Sequence, residues 1–318
     1  MINSVRNTVL SVLNKNNYGY ISPSDFNLYA KQAQMELFED YFSDYNKSVV
    51  YENQRVSGTD YADVKKAITE LLELFLSNNF LHPVISSAGT LTNRFFMPSD
   101  ITTGDRAYML SRIVYYNQLK SQGSNTLVVP FQLEDAGALF VSDGVVAGDI
   151  VTNNVNFLSA TVLAVIGQTQ LLLDTDIFTA TPVTYSIFSS VSLSEAEPVT
   201  DGKITALSIS PLTAPSTMFP AYTLNSEFMA TYPSILTGYG SVRASYFRYP
   251  REPKWTYITL INGEPAFDQT QPDYQDFELP LEDEYKLVMK ILQYCGISIR
   301  ETQVVQYAMS QEQQGSAN

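Results

Sequence analysis

The most constraining feature of this sequence is a change in the period of its apolar residues. Near the N-terminus they recur with helical spacing, as at Ile2 and Val5 of a predicted helix over 2–14, and residues 280–295 show the same spacing. After Asn79, aromatic and β-branched residues alternate with polar ones, which is typical of strands. The sequence therefore predicts an α+β protein with helical N- and C-terminal segments around a β-rich core.

Helix signals are strongest near the N-terminus. The run SPSD (22–25) offers a capping serine, a proline for the first helical position and an acid at the capping-box position. It predicts a helix that continues over 26–42. Residues 43–60 are polar and predict a loop, and 59–75 predict a third helix with Asp60 as its cap.

The middle of the chain carries a separate pattern. Short β runs are divided by Gly-Asp, Asn-Asn and Gly-Gln at turn spacing, which predicts an inserted small all-β module, a barrel or sandwich of about five strands. Residues 192–210 fit either helix or extended structure, and Gly296 is expected to stop a helix before a last one. The expected segments are a helical part with the first core strands (1–124), the inserted β module (125–191), a core β part with Pro-rich connections (192–279), and C-terminal helices with a polar tail (280–318).

The amino-acid composition limits the classes of molecule that the chain is expected to bind. The 318 residues allow one large domain or two modest ones, and their formal net charge of −14 disfavours binding to nucleic acid or to an anionic membrane. Only 16% of residues are charged, whereas 21 are Tyr and 17 are Phe. Interfaces favour aromatic residues and are poor in charge, so this balance suits a subunit that buries much of its surface against neighbours.

The sequence offers little catalytic or metal-binding chemistry. One cysteine (Cys295) and one histidine (His82) cannot build a zinc site or a disulfide, and no nucleophile motif is present. Asp174 and Asp176 could share a hard cation, but such a pair more often caps a strand end. We therefore expect no enzymatic activity, no catalytic residue, no cofactor and no metal.

The stretch YFRYPREPKWTY (246–257) gathers three cations, two prolines and the single tryptophan of an acidic chain. It could be a structural strand edge, a contact surface rich in Trp, Tyr and Arg, or a platform for nucleic acid, the last being disfavoured by the charge. Together with the aromatic N-terminal helices it gives the predicted interface residues: Phe26, Tyr29, Phe38, Tyr41, Arg248, Tyr249, Arg251, Lys254 and Trp255.

Three segments resemble a known group of proteins. GYISPSDFNLYAKQAQMELFEDY near the start, YFRYPREPKW late, and FELPLEDEYKLVMKILQYCGISIRETQVVQYA at the end are similar to virion structural proteins of tailed bacteriophages. They resemble the ring (head-to-tail connector) proteins of crAss-like phages. The strand-rich segment GVVAGDIVTNNVNFLSATVLAVIGQTQLLLDTDIF resembles a small β module that recurs in phage structural proteins.

The resemblance implies a structural role in the virion. The chain would be made in the host cytoplasm and would form a closed ring of about twelve copies. Its partners would be other copies of itself, the portal protein and other connector or tail ring proteins, with no membrane. Double-stranded DNA would pass through the channel without specific binding, since an acidic wall does not hold phosphate. The alternative is a tail-associated protein that binds host glycans, suggested by the aromatic content and the β-rich centre.

Overall fold

The computed structural model describes residues 1–14, 21–54, 64–99, 101–225, 227–261 and 263–299. It confirms the α+β class, with terminal helices and a β-rich core. The chain divides into two compact units, which we call the helical unit (Met1–Phe75 with Pro250–Asn318) and the strand unit (Leu76–Tyr249). These boundaries differ from the four segments expected from the sequence, because the two ends of the chain pack into one unit.

Most of the helices belong to the helical unit. In chain order the described helices are α1 (Ile2–Asn14), α2 (Pro23–Gln54), α3 (Val64–Glu73), α4 (Asp201–Ile209) and α5 (Glu284–Ile299). The predicted helix over 2–14 and the predicted cap are confirmed. Ser22 Oγ accepts the backbone N–H of Asp25 at 3.1 Å, and α2 begins at Pro23.

α2 is the central helix of its unit. It packs against α3 and α5, and α1 packs against α5. Phe38 is fully buried and meets the ring of Phe75 edge to face, with centroids 4.9 Å apart. The backbone N–H of Ile2 donates to Asp276 Oδ1 at 2.8 Å, which places a carboxylate at the positive end of α1.

Two predicted helix boundaries are wrong. α2 continues to Gln54 through most of the predicted loop, because a polar run free of Pro and Gly can remain helical on an exposed surface. The Asp44–Lys47 ion pair, at 3.0 Å and three residues apart, supports this part of the helix. α5 continues through Gly296 to Ile299, because Gly296 is buried and does not adopt the positive φ of a helix stop. The predicted cap at Asp60, and all but the first residues of the predicted last helix, lie outside the described residues.

The strands, in chain order, are β1 (Leu76–Phe80), β2 (Pro83–Ile85), β3 (Leu91–Phe96), β4 (Ala107–Tyr116), β5 (Leu119–Ser124), β6 (Leu127–Val129), β7 (Gln132–Glu134), β8 (Ile150–Asn153), β9 (Ser159–Val165), β10 (Gln170–Leu173), β11 (Thr184–Phe188), β12 (Leu193–Glu195), β13 (Glu197–Pro198), β14 (Ala221–Leu224), β15 (Phe228–Tyr232), β16 (Val242–Arg248), β17 (Tyr257–Thr259) and β18 (Pro265–Phe267). The ambiguous segment 192–210 contains both kinds of structure, namely β12, β13 and α4.

The described residues of the strand unit form three sheets. A four-stranded sheet has the order β1-β16-β4-β12, and a five-stranded sheet has the order β13-β14-β15-β3-β2. Their shared core includes Phe95, Tyr222, Met229 and Tyr246. β13 and β14 are parallel neighbours, so the chain between them must cross over, and α4 provides part of that crossover.

The third sheet is the inserted β module. It has seven strands in the order β5-β11-β8-β9-β10-β7-β6, more than the five expected. The sheet begins at Leu119, before the predicted start at 125, because β5 pairs with β11 from Thr184 opposite Ser124. Its own apolar core surrounds Phe140, Phe178 and Tyr185, which are fully buried.

The strand unit is inserted into the helical unit through two adjacent strands. The chain enters the strand unit at β1 and leaves it after β16, and these strands are antiparallel neighbours with Leu76 opposite Phe247. An insertion with neighbouring entry and exit strands leaves the surrounding unit's two segments free to fold together.

Candidate interaction surface

The stretch 246–257 is the second connection between the two units. Residues 246–249 complete β16 and its continuation in the strand unit, and residues from Pro250 onward belong to the helical unit. Tyr246 is fully buried, whereas Arg248 and Tyr249 are half-buried. The Tyr249 ring meets Tyr108 edge to face at 5.2 Å. The first part of the stretch is therefore structural.

Trp255 lies in the core of the helical unit. It is 2% exposed, and its indole Nε1–H donates to Asn3 Oδ1 at 3.1 Å. The guanidinium of Arg6 lies 3.8 Å from the indole centroid, and the ring of Phe267 stacks at 5.9 Å. The backbone N–H of Trp255 donates to Asn27 Oδ1 at 2.8 Å. The tryptophan thus ties the late segment to α1 and α2.

The two cations that follow β16 are exposed. The backbone of Arg251 joins two elements, since its carbonyl accepts Gln34 Nε2 at 2.7 Å and its N–H donates to Glu278 at 2.8 Å. Lys254 pairs with the carboxylate of Asp273, and both side chains are about half exposed. An exposed pair such as Lys254–Asp273 contributes little to stability.

The predicted interface aromatics of α2 differ in burial. Phe26, Phe38 and Tyr41 are buried, and the Tyr41 hydroxyl donates to the carboxylate of Asp283. Burial and that hydrogen bond raise the pKa of Tyr41 well above its usual range. Tyr29 is half-buried and stacks on Tyr294 at 6.4 Å.

These positions correct part of the interface prediction. Phe26, Phe38, Tyr41 and Trp255 are core side chains of the protomer, so they do not supply contacts to another subunit. The error has a physical reason: Trp and Phe are enriched in both cores and interfaces, and a sequence alone does not separate the two. The remaining five predicted residues keep accessible surface: Tyr29, Arg248, Tyr249, Arg251 and Lys254.

A charge cluster around the buried Lys290 joins α2 to α5, and sequence reasoning missed it. The Lys290 side chain is 8% exposed and lies 3.2 Å from both Glu36 and Asp40. Tyr294 donates its hydroxyl to Glu36 at 3.1 Å. The helical spacing of Glu36 and Asp40 could have suggested that they share a face, but not which cation lies opposite.

One apolar surface of the helical unit is the hairpin β17–β18. The exposed fractions of Tyr257, Ile258, Leu260 and Ile261 are 44%, 48%, 45% and 110%, so a run of large apolar side chains faces solvent. The turn is closed by the N–H of Gly263, which donates to the Leu260 carbonyl at 2.8 Å and has a φ of 86°. A small hairpin with an apolar tip is typical of a contact element.

The strand unit has a second exposed apolar surface, residues 209–219, which we call the apolar arm. It begins with Ile209, the last residue of α4, and no residue from 204 to 225 is charged. Its large apolar side chains are largely exposed: Ile209 (79%), Leu212 (94%), Met218 (67%) and Phe219 (80%). Local hydrogen bonds hold the arm, including a reciprocal pair between the backbones of Ser216 and Phe219, both at 3.2 Å.

The strand unit also contains an open cleft of about 560 Å³. The lining is formed by β2, the end of β3, the loop at 101–102 and the β8–β9 turn: His82, Pro83, Val84, Ile85, Phe96, Ile101, Thr102, Val155, Asn156 and Phe157. The rings of His82 and Phe157 stack 4.0 Å apart, and Phe157 has a φ of 62°. Burial lowers the pKa of His82, which favours its neutral form. None of the described lining residues is an Asp, Glu, Lys or Arg, so the cleft suits an uncharged, largely apolar occupant.

The other side chains that the sequence offered for metal binding or catalysis are Asp174, Asp176 and Cys295. Asp174 Oδ1 accepts the backbone N–H of Thr161 at 2.7 Å, which fits the strand-end role that the sequence allowed. Burial raises the pKa of Cys295 to about 12, which keeps the thiol protonated. Within the described ranges, no three His, Cys, Asp or Glu side chains lie close enough to hold a metal ion.

Similarity to known proteins does not identify the chain. No protein-family model matches it, and no curated protein matches it significantly. In the part of the chain that the structure describes, no helix combines the length and the apolar character needed to cross a bilayer.

Proposed function

We propose that this protein is a structural subunit of a virion, one protomer of a ring in the head-to-tail connector of a tailed bacteriophage. The ring would stack on the portal or on an adjacent ring and surround the channel through which DNA leaves. The proposal is supported by the resemblance of three segments to connector ring proteins of crAss-like phages, described above.

The observation that carries the proposal is the presence of two apolar contact elements, one on each unit. A closed ring needs a heterologous interface made by two different surfaces of each subunit. The hairpin tip with Ile261 and the apolar arm with Phe219 each offer a surface for contact with a neighbour, since their large apolar side chains face solvent. A monomer gains nothing from this exposure, whereas a subunit that covers it on assembly gains hydrophobic stabilisation.

The net charge fits a channel that does not retain DNA. With a formal charge of −14, the chain lacks the excess of cations that would neutralise phosphates. We therefore expect no salt-sensitive DNA binding at physiological ionic strength. Tight binding that weakens steeply with added salt would instead support a packaging or ejection factor.

The alternative of glycan binding receives less support. A sugar needs an accessible aromatic face, but the His82 and Phe157 rings in the cleft already stack on each other, and Phe96 lies against Phe228 with centroids 5.2 Å apart. A glycan array with the full chain would test this alternative directly. Specific retention of a host-surface glycan would favour it over the ring proposal.

Copy number tests the ring proposal. Quantitative mass spectrometry of purified particles of the encoding phage would give the amount of this chain relative to the major capsid protein. We expect about twelve copies per particle, as for a single closed ring. Absence from the particle would refute the structural role, and hundreds of copies would replace the ring by a tail-tube or capsid-surface role.

A further inference from the structure

The apolar arm and the cleft lie at opposite edges of one sheet. The five-stranded sheet has β13 and β14 at one edge, and the arm belongs to the connection between these strands. β2 forms the other edge, and all three of its residues line the cleft. With neighbouring strands about 4.8 Å apart, the two features are separated by about 15–20 Å across the sheet. They are thus distinct surfaces of the strand unit.

The two surfaces match in chemistry. The arm is free of charge and presents Leu212, Met218 and Phe219 to solvent. The described lining of the cleft is also free of carboxylate, ammonium and guanidinium groups, and most of it is apolar, including Pro83, Ile85, Ile101 and Val155. Prolines at 211, 215 and 220 restrict the backbone of the arm, so little conformational freedom is lost when it docks. Neither surface would leave a buried unpaired charge on contact with the other.

The arm is organised before it meets a partner. Thr213 Oγ1 donates to the Leu207 carbonyl at 3.1 Å, and the Thr213 N–H donates to the Ser210 carbonyl at 3.1 Å. Ser216 and Phe219 close a turn through their reciprocal backbone bonds. Such preorganisation reduces the entropy lost on binding, so the turn presents Met218 and Phe219 as a ready contact.

The arm does not fill the cleft of its own chain. Phe219 is 80% exposed and Leu212 is 94% exposed, whereas docking would cover them. On the other side of the cleft, Ile101 and Val155 are 96% and 64% exposed. Both the arm and the cleft rim of a single copy are therefore open to a second molecule.

From these observations we propose that the apolar arm of one copy docks into the His82–Phe157 cleft of a second copy. Phe219 and Met218 enter the cleft, and the edge strand β2 lies alongside the arm. Because the arm and the cleft are different surfaces, the contact is heterologous. A copy whose arm docks on one neighbour still offers its cleft to the arm of the next. This inference rests on the proposed function, since it names the contact that joins neighbouring protomers of the ring.

A charge exchange tests the contact. Phe219→Asp places a carboxylate on the arm, and Val155→Lys places an ammonium group on the cleft. Both positions are exposed in the protomer, so the variants should keep its fold. Sedimentation velocity of the full chain over a range of concentrations would measure self-association. We expect each single variant to weaken it at least about tenfold, and the double variant to recover most of the loss through the new ion pair.

Val191→Asp is the matched control. Val191 is 87% exposed in the strand unit but belongs neither to the arm nor to the cleft lining, so its variant should associate like the wild type. Equal effects of all the substitutions would overturn the proposal, because they would reflect added charge alone. Single variants without effect, or a double variant no better than the weaker single one, would also overturn it.

Photo-crosslinking identifies the occupant of the cleft. With benzoylphenylalanine in place of Phe219, and isotope-labelled and unlabelled chains mixed, we expect crosslinks from position 219 to residues 82–85 or 155–157 of a different copy. Crosslinks within one copy, crosslinks to a different virion protein in purified particles, or no crosslink to the cleft would each overturn the proposal. These outcomes are separate from copy number: about twelve copies in particles without the 219–cleft crosslink would retain the proposed ring and reject this contact. A crosslink from position 219 to the cleft, in a chain that is absent from particles, would retain this contact and reject the proposed ring.

Discussion

Replacing Trp255 by alanine should destabilise the helical unit strongly, although its neighbour Lys254 is exposed and tolerant. The indole is 2% exposed and contacts α1 through Asn3 and Arg6. Removal of the ring leaves a cavity at the junction of α1 with the late segment. Large-to-small core substitutions of Phe or Trp by Ala cost about 3–5 kcal/mol.

The size of this effect makes it measurable by denaturation. With an m-value of about 2 kcal/mol/M in urea, a loss of about 4 kcal/mol moves the unfolding midpoint down by about 2 M. The helical circular dichroism signal is a suitable probe, since α1, α2, α3 and α5 all belong to the helical unit. Tryptophan fluorescence is lost in this variant because the sequence has a single Trp.

Lys254→Ala serves as the control for the adjacent position. Its ion pair with Asp273 is exposed on both sides, so the urea midpoint should hardly move. Trp255→Phe should fall between the two, because it keeps an aromatic ring but leaves Asn3 Oδ1 without the indole donor. If Trp255→Ala unfolds at the wild-type midpoint and fails only in assembly, the assignment of Trp255 to the core is refuted.

Three further predictions concern the strand unit. Lys120→Met should destabilise it by about 3–5 kcal/mol in urea unfolding, because Asp149 is fully buried and loses the ammonium at 2.7 Å; an unchanged midpoint would refute this. Gly240→Ala should cost more than Gly89→Ala, since both have positive φ but of the two only the Gly240 variant would press its Cβ against the Thr152 hydroxyl; equal losses of stability would contradict this expectation. Because burial lowers the pKa of His82 below 6.5, stability should fall as pH drops through that value, and His82→Gln should remove this component in urea titrations at several pH values.

Local signals in the sequence predicted the elements well where periodicity and capping agree. The helix over 2–14 and the cap at 22–25 follow from side-chain spacing and capping chemistry, and the structure has both. The α+β class follows as well. These features depend on residues a few positions apart, which a single sequence displays directly.

Features set by distant parts of the chain were not predictable. α2 extends past its apolar stripe because nothing in 43–54 breaks a helix, and α5 passes through Gly296 because that residue is buried. The β module starts at Leu119 because β5 finds its partner in β11, about sixty residues later. Such pairings depend on tertiary contacts that local propensity does not encode.

The candidate interaction surface was only partly predicted. Arg251 and Lys254 are exposed as expected, but the aromatic anchors of the predicted interface lie in the core. The apolar arm was passed over, although the 23-residue run without charge that contains it, from Ile204 to Ser226, was a visible signal. Charge-free apolar runs are as common in cores as in interfaces, so only the observed exposure of Leu212 and Phe219 separates the two cases.

The measurement that tests the central claim most directly is a cryo-electron microscopy reconstruction of the head-to-tail region of purified particles. The account predicts a closed ring of about twelve copies of this chain around the DNA channel, in contact with the portal or with an adjacent ring. Density for this chain at a fibre or on the capsid surface, or a connector fully accounted for by other proteins, would contradict it.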